Sequence, residues 1–182
     1  GIWAGVFTTF TPFYTIHFLV AFLVARLMRG NILAALSATF FGNPLTYVPI
    51  GVISLKTGHY LLGTTFDEER HTGFLGKFAH AAADLKDNLI ALFTGREADW
   101  NGLTAFYHDI FFPYMVGGLI PGVVAGTVAY YLSVPLIRAY QQRRDFMAAE
   151  LTHYLQQGKI TDFLLPDGGM AIWVDVGSQA SE

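Results

Sequence analysis

Three long stretches of the 182-residue chain carry no Asp, Glu, Lys or Arg: Gly1 to Ala25, Gly30 to Leu55 and Ile110 to Ile137, of 25, 26 and 28 residues. Each exceeds the roughly 20 residues an α-helix needs to cross a hydrocarbon layer about 30 Å thick. Inside a bilayer every backbone N–H and C=O must find a partner within the protein, so helices are the default solution. The composition agrees, with 53% hydrophobic residues, a mean hydropathy of +0.40 and only 14% charged residues, where a soluble domain carries about 25%. The expected fold is all-α: a polytopic integral membrane protein with proline-broken membrane helices and an amphipathic extramembrane helix. A soluble enzyme is not expected on these grounds. The absence of cysteine excludes disulfides, iron–sulfur clusters and Cys-ligated zinc, and a net charge of −3 gives no reason to expect a nucleic-acid partner.

The first two stretches are interrupted. Pro12 falls in Phe10-Thr11-Pro12-Phe13 and Pro44 in Asn43-Pro44-Leu45-Thr46; proline removes a donor and clashes with the preceding turn, so each ends or kinks a helix. Four short helices are expected, over about 1–10, 15–28, 30–42 and 47–62. The pairs 1–28 and 30–62 are either kinked spans or re-entrant hairpins, and in both cases the breaks should face inward, because irregular backbone at membrane depth needs cover. Paired, Pro-interrupted apolar segments also mark transporter-like sites. A substrate site there would use Thr11, Pro12, His17, Asn43, Pro44 and Thr46. His17 stands out as an ionisable side chain in an otherwise uncharged membrane segment. The first task of the polar groups, including Thr9 and Thr39, is to satisfy backbone groups that proline releases.

Residues 67–109 hold 8 acids against 4 bases. Within them Phe74, Phe78, Ala81, Leu85, Leu89 and Leu92 recur at helical spacing, which predicts an amphipathic helix over about 69–94, stopped by Gly95. The third stretch predicts a membrane helix over 110–137. Gly118, Gly122 and Gly126 form a smooth strip on it, and Ala34, Ala38 and Gly42 repeat the spacing on the second stretch. Such small-xxx-small strips are helix-packing interfaces, here expected to pack on one another or on a second copy. A helical extension over 139–158 follows, then a polar tail over 159–182 of no firm structure. The membrane domain is thus 1–138. His80 and Asp84 share a helix face and could take a metal only with His59 or His71 brought in by the tertiary fold, so no metal site or cofactor is expected, and no enzyme motif is present.

Arg26 and Arg29, and Arg138 to Arg144, place the hinge and the C-terminus on the cytoplasmic side. The acid-rich middle then lies outside, and three spans put the N-terminus outside too.

The run Phe7-Thr8-Thr9-Phe10-Thr11-Pro12-Phe13-Tyr14, followed by Leu27-Met28-Arg29-Gly30-Asn31, Gly42-Asn43-Pro44-Leu45-Thr46 and Phe112-Pro113-Tyr114-Met115-Val116-Gly117-Gly118, resembles the bacterial membrane family called domain of unknown function 2062, particularly its alphaproteobacterial members. The resemblance covers about residues 1–138. It implies an inner-membrane location and a basic cytoplasmic segment ahead of Gly1, which is at odds with an outside N-terminus. No activity comes with it.

Two functions fit these features. The first is a non-enzymatic subunit or assembly partner of a larger inner-membrane complex, bound to lipid and to other membrane subunits or to itself, and docking through the glycine strip and the amphipathic helix. The alternative is a small transporter or lipid-handling protein whose site lies at the paired breaks.

Overall fold

The computed structural model describes residues 1–66, 74–94, 97–165 and 172–177. The chain is mostly helical. In order come α1 (Ile2–Thr9), α2 (His17–Leu27), α3 (Ile32–Ala38) running into a 3-10 turn (Thr39–Phe41), α4 (Pro44–Leu62), α5 (Phe74–Thr94), α6 (Asn101–Phe106), a π turn (Tyr107–Phe111), α7 (Phe112–Gln156), and two short strands, β1 (Asp162–Leu164) and β2 (Trp173–Asp175). It divides into two compact units, Gly1–Tyr130 and Tyr131–Glu182.

Helix α1 is the axis of the first unit, and its glycines set the packing. A Cβ on Gly1 would stand 2.2 Å from the Asn31 carbonyl oxygen, one on Gly5 2.1 Å from that of Ala35, and one on Gly42 2.9 Å from the Thr9 methyl. Helix α3 therefore runs alongside α1 in the same direction, at a separation only glycine and alanine permit. Helix α2 returns the other way. It ends in a Schellman motif, with Gly30 N–H donating to Ala25 O and Arg29 N–H to Arg26 O, and Arg29 takes the left-handed conformation (φ 52°) that glycine usually fills. This brings Gly30 back against Gly1. The first apolar stretch is accordingly a hairpin.

The opposite face of α1 receives α7. A Cβ on Gly118 would meet Phe10 O at 1.9 Å, one on Gly122 the Phe10 and Phe7 side chains at 3.1 Å, and one on Gly126 Trp3 at 3.1 Å. Nearer its start, α7 crosses α4: a Cβ on Gly117 would stand 2.0 Å from Ser54 O, and one on Gly58 1.8 Å from Pro113 O. The two small-residue strips are thus both internal, yet they do not meet each other; α1 lies between them.

Several boundaries differ from the sequence reading. Helix α4 begins at Pro44, not 47, because proline suits the first helical position, where no N–H is needed. Asn43 caps it, accepting from Leu45 N–H and Thr46 N–H, while Thr46 Oγ1 accepts from Asn43 N–H to complete a capping box. Pro49 lies inside α4, and Pro113, Pro121 and Pro135 inside α7. The π turn at Tyr107–Phe111 precedes Pro113, where the missing N–H leaves Asp109 O without its helical donor. Membrane helix and extension are one element, Phe112–Gln156, ended near Gly158 (φ 70°) by Lys159 N–H to Tyr154 O.

The amphipathic helix is present as α5, while 69–73 and Gly95 lie outside the described residues. Its inner face is Phe78, Ala81, Asn88 and Ala91; Leu85, Leu89 and Leu92 of the expected apolar stripe are exposed. Asn88 takes the inner position because both ends of its amide are bonded to Asp99, donating to Asp99 O at 2.6 Å and accepting from Asp99 N–H at 2.8 Å.

The second unit corrects both the all-α expectation and the unstructured tail. Strands β1 and β2 pair antiparallel, with Asp162 opposite Asp175, Phe163 opposite Val174 and Leu164 opposite Trp173. Aromatic and β-branched residues at paired positions stabilise such ladders, a signal hidden by the polar average of 159–182.

Candidate functional site

The structure brings the two breaks together. Thr9 packs on Gly42, Phe10 stacks on Phe41 with ring centroids 6.4 Å apart, and Tyr14 meets Tyr47 edge-on at 5.0 Å. Their surroundings differ. Pro12 is buried at the tip of the α1–α2 hairpin, whereas Asn43 and Pro44 are exposed. The expectation that both breaks face inward holds for the first alone; the second needs no cover because the capping box satisfies its backbone groups.

Most of the polar side chains expected to line a site are spent on nearby backbone. Thr8, Thr9, Thr11 and Thr39 donate to carbonyls three or four residues back, at 2.6 to 2.7 Å. Thr46 Oγ1 donates to Phe41 O at 2.6 Å. The His17 ring, at the first turn of α2, hydrogen-bonds Tyr14 O through Nδ1 and lies half-buried against Phe18.

What fills the space between the breaks is a group of tyrosines. The Tyr14 phenol donates to the Tyr114 phenolic oxygen at 2.8 Å. Tyr114 is fully buried and packs with Leu55 and Ile110, and Tyr14, Phe78 and Phe106 close around them. The buried Ser54 hydroxyl lies beside the Tyr114 phenol. Tyr14 thereby links the hairpin tip to α4, α5 and α7. Reading the breaks as a threonine–asparagine site missed this group. The available signal was Pro12-Phe13-Tyr14 and Pro113-Tyr114, a tyrosine within two residues of each proline.

Outside this cluster, Lys77, His80, Asp84 and Asp109 line a hollow of about 230 Å³ between α5 and the α6–π segment. Among the described residues no group of three or more His, Cys, Asp or Glu side chains could hold a metal. His59 packs in the core with Nδ1 bonded to Thr64 Oγ1 at 2.7 Å, and His71 lies outside the described residues.

A helical bundle of glycine-mediated contacts, with one continuous helical stretch among the described residues, Asn101–Gln156, long and apolar enough to cross a membrane, defines the class. The chain belongs to the family described as an uncharacterized protein conserved in bacteria, domain of unknown function 2062 (DUF2062), whose profile matches residues 1–145. The match ends seven residues beyond the span that carried the resemblance. No curated protein and no solved structure matches the chain.

Proposed function

We propose that the chain is a multi-pass inner-membrane protein with no catalytic chemistry of its own, serving as a subunit or assembly partner of a larger membrane complex. One observation carries this reading. Large apolar side chains lie outward on several helices, among them Leu27 at 85% exposure, Leu33 at 75%, Leu45 at 84% and Leu132 at 71%, while Ala4, Ala21, Ala25, Ala35, Gly118 and Gly122 fill the inside. In water that distribution would be costly; among lipid tails and partner helices it is the expected one, because small residues drive close helix contacts and apolar bulk faces the solvent hydrocarbon.

On this reading the spans number two. One is the first part of α7; the other is the α3–α4 path, in which the 19 residues of α4 rise about 28 Å. The α1–α2 hairpin is re-entrant, since 8 and 11 residues reach only about 12 and 16 Å. Gly1 and Gly30 then share one side. Arg26 and Arg29 at the hinge, and Arg138, Arg143 and Arg144 after the last span, assign that side to the cytoplasm. The N-terminus moves inside with them, as the family resemblance requires, replacing the three-span arrangement. A cleavable tag fused ahead of Gly1 should resist an external protease in intact right-side-out vesicles, and a Thr65→Cys label in this cysteine-free chain should react with an impermeant maleimide from outside. Cleavage of the tag from outside would restore the three-span topology.

The test of function is native mass spectrometry of the protein extracted from its own membrane in mild detergent. The expected mass contains subunits of other sequence. A monomer or homo-oligomer carrying a defined small molecule would instead support the second reading, transport or lipid handling. That reading has one observation in its favour: the buried Tyr14–Tyr114 pair lies where the breaks converge.

A further inference from the structure

The second unit contains a groove of about 370 Å³, at the lower end of the roughly 300–1,000 Å³ typical of small-ligand sites. One wall is a single face of α7, where Tyr140, Arg144, Met147 and Leu151 follow one another at intervals of four, three and four residues with Arg143 beside them; the other wall is Ile172 and Val174 of the hairpin. Alternation along the strand turns Trp173 away from it. The groove is polarised along its length. Its arginines lie at the end nearer the apolar stretch, and its aliphatic side chains lie farther along the helix.

Part of the donor capacity at the polar end is left for a ligand. Arg144 donates from Nε and Nη2 to the same Asp145 oxygen, at 3.0 and 2.8 Å, which leaves its Nη1 uncommitted to that pair. Arg143 is exposed and, among the described residues, makes no ion pair. Two guanidinium groups side by side, with a tyrosine hydroxyl one turn before them, suit a phosphate or carboxylate, which arginine binds with several parallel N–H donors.

We infer that this groove binds a single-chain anionic amphiphile, with its phosphate or carboxylate on Arg143 and Arg144 and its acyl chain along Met147, Leu151 and Val174. Position and polarity select that class. Arg143 follows Ile137, the last residue of the uncharged stretch, by about 9 Å of helix, comparable with the headgroup layer of about 5–7 Å on each side of a bilayer. A two-chain phospholipid anchored by its tails would present apolar bulk at the wrong end, because the aliphatic side chains lie beyond the arginines. A monoacyl species leaving the leaflet can enter with its anion at the arginines and its tail in the distal groove. The membrane reading enters only as the source of this ligand.

The test uses the full chain in a neutral maltoside detergent and 1-oleoyl lysophosphatidic acid as probe, with binding followed by native mass spectrometry titration. Saturable binding of one molecule is expected, weakened about tenfold or more in Arg143→Gln/Arg144→Gln, in line with loss of charge-assisted hydrogen bonds, and weakened likewise in Val174→Asp. These side chains are partly or fully exposed, so the fold should survive, as circular dichroism would check. Undiminished binding in the double arginine variant overturns the proposal. So does equal binding of uncharged monoolein, which would make the groove merely apolar, or displacement by millimolar inorganic phosphate, which would make it a plain anion site. Carbonate extraction of native membranes reports separately on membrane residence: a chain that is stripped off yet binds the probe retains the groove and loses the membrane reading.

Discussion

Gly58→Ala, Gly117→Ala and Gly118→Ala are each expected to destabilise the protein by about 3 kcal/mol or more, enough to cost most of the monodisperse species in detergent gel filtration. The new methyl would stand 1.8 to 2.0 Å from a backbone carbonyl oxygen, of Pro113, Ser54 or Phe10 respectively. A flexible side chain could swing away; a carbonyl in or next to a packed helix cannot move without shifting that helix. Gly122→Ala and Gly126→Ala should behave differently, since their nearest neighbours are Phe7, Phe10 and Trp3 at 3.1 Å and alanine gains about 1 kcal/mol of helix propensity over glycine. They should fall within about 1 kcal/mol of the parent. Gly76, with nothing within 4 Å, serves as the control, and its alanine variant should melt at or above the parent temperature. A Gly118→Ala protein that melts like the parent would mean that α1 and α7 do not approach as closely as described.

The same contacts redirect the search for a docking surface. Gly118, Gly122 and Gly126 are buried against α1, so a partner helix could reach them only by displacing it. Loss of a partner in Gly122→Leu would then report damage to the fold. The outward row of the same helix, Leu119, Val123 and Val124, is exposed, and there added charge would test docking while leaving the α1 contact intact.

What was legible in the sequence, and what was not, follows from the range of each interaction. Most helices and the stop near Gly158 depend on neighbours within a few residues and could be read directly; the cap at Asn43 is just as local, yet the sequence reading makes it part of a break and starts its helix at 47 instead of Pro44. The small-residue strips were legible as packing surfaces, because glycine at four-residue spacing has a geometric meaning whatever lies opposite. Their partner was not: that α1 fills both strips depends on Gly1, Gly5 and the bulk of Phe7 and Phe10 facing opposite ways, which the short, almost wholly apolar α1 does not reveal by periodicity. Proline misled in a specific manner. Pro44 starts a helix and Pro49, Pro113, Pro121 and Pro135 lie within helices, so the residue before it and the cap around it, not proline alone, decide whether a break occurs. In α5, an exposed leucine row and a buried asparagine invert the usual pattern, because the pairing of Asn88 with Asp99 is a contact 11 residues away. The tyrosine cluster was equally hidden, since Tyr14 and Tyr114 are 100 residues apart.

Tyr114→Ala should cost about 3–5 kcal/mol, the range for removing a buried large aromatic side chain. Tyr114 is the largest fully buried side chain among the described residues, and its loss would open a void between Leu55, Ile110 and Phe78. Tyr114→Phe keeps the ring and should cost about 1–2 kcal/mol, because the Tyr14 phenol loses its acceptor among aromatic rings. Tyr14→Phe should cost a similar amount. In the double variant neither phenol is left seeking the other, so the two losses should fail to add by about 0.6–2 kcal/mol, the scale of hydrogen bonds between membrane helices. Thermal unfolding of the four proteins in one detergent gives the coupling, and strict additivity would mean that the phenols do not bond. The same set separates the two functional readings. If the cluster only pins the hairpin tip to α7, each phenylalanine variant loses stability and keeps its partners in proportion to the folded fraction. If a solute or lipid passes between the breaks, Tyr14→Phe changes flux per folded molecule, since it removes a polar group at the convergence point and leaves the packing of the ring in place.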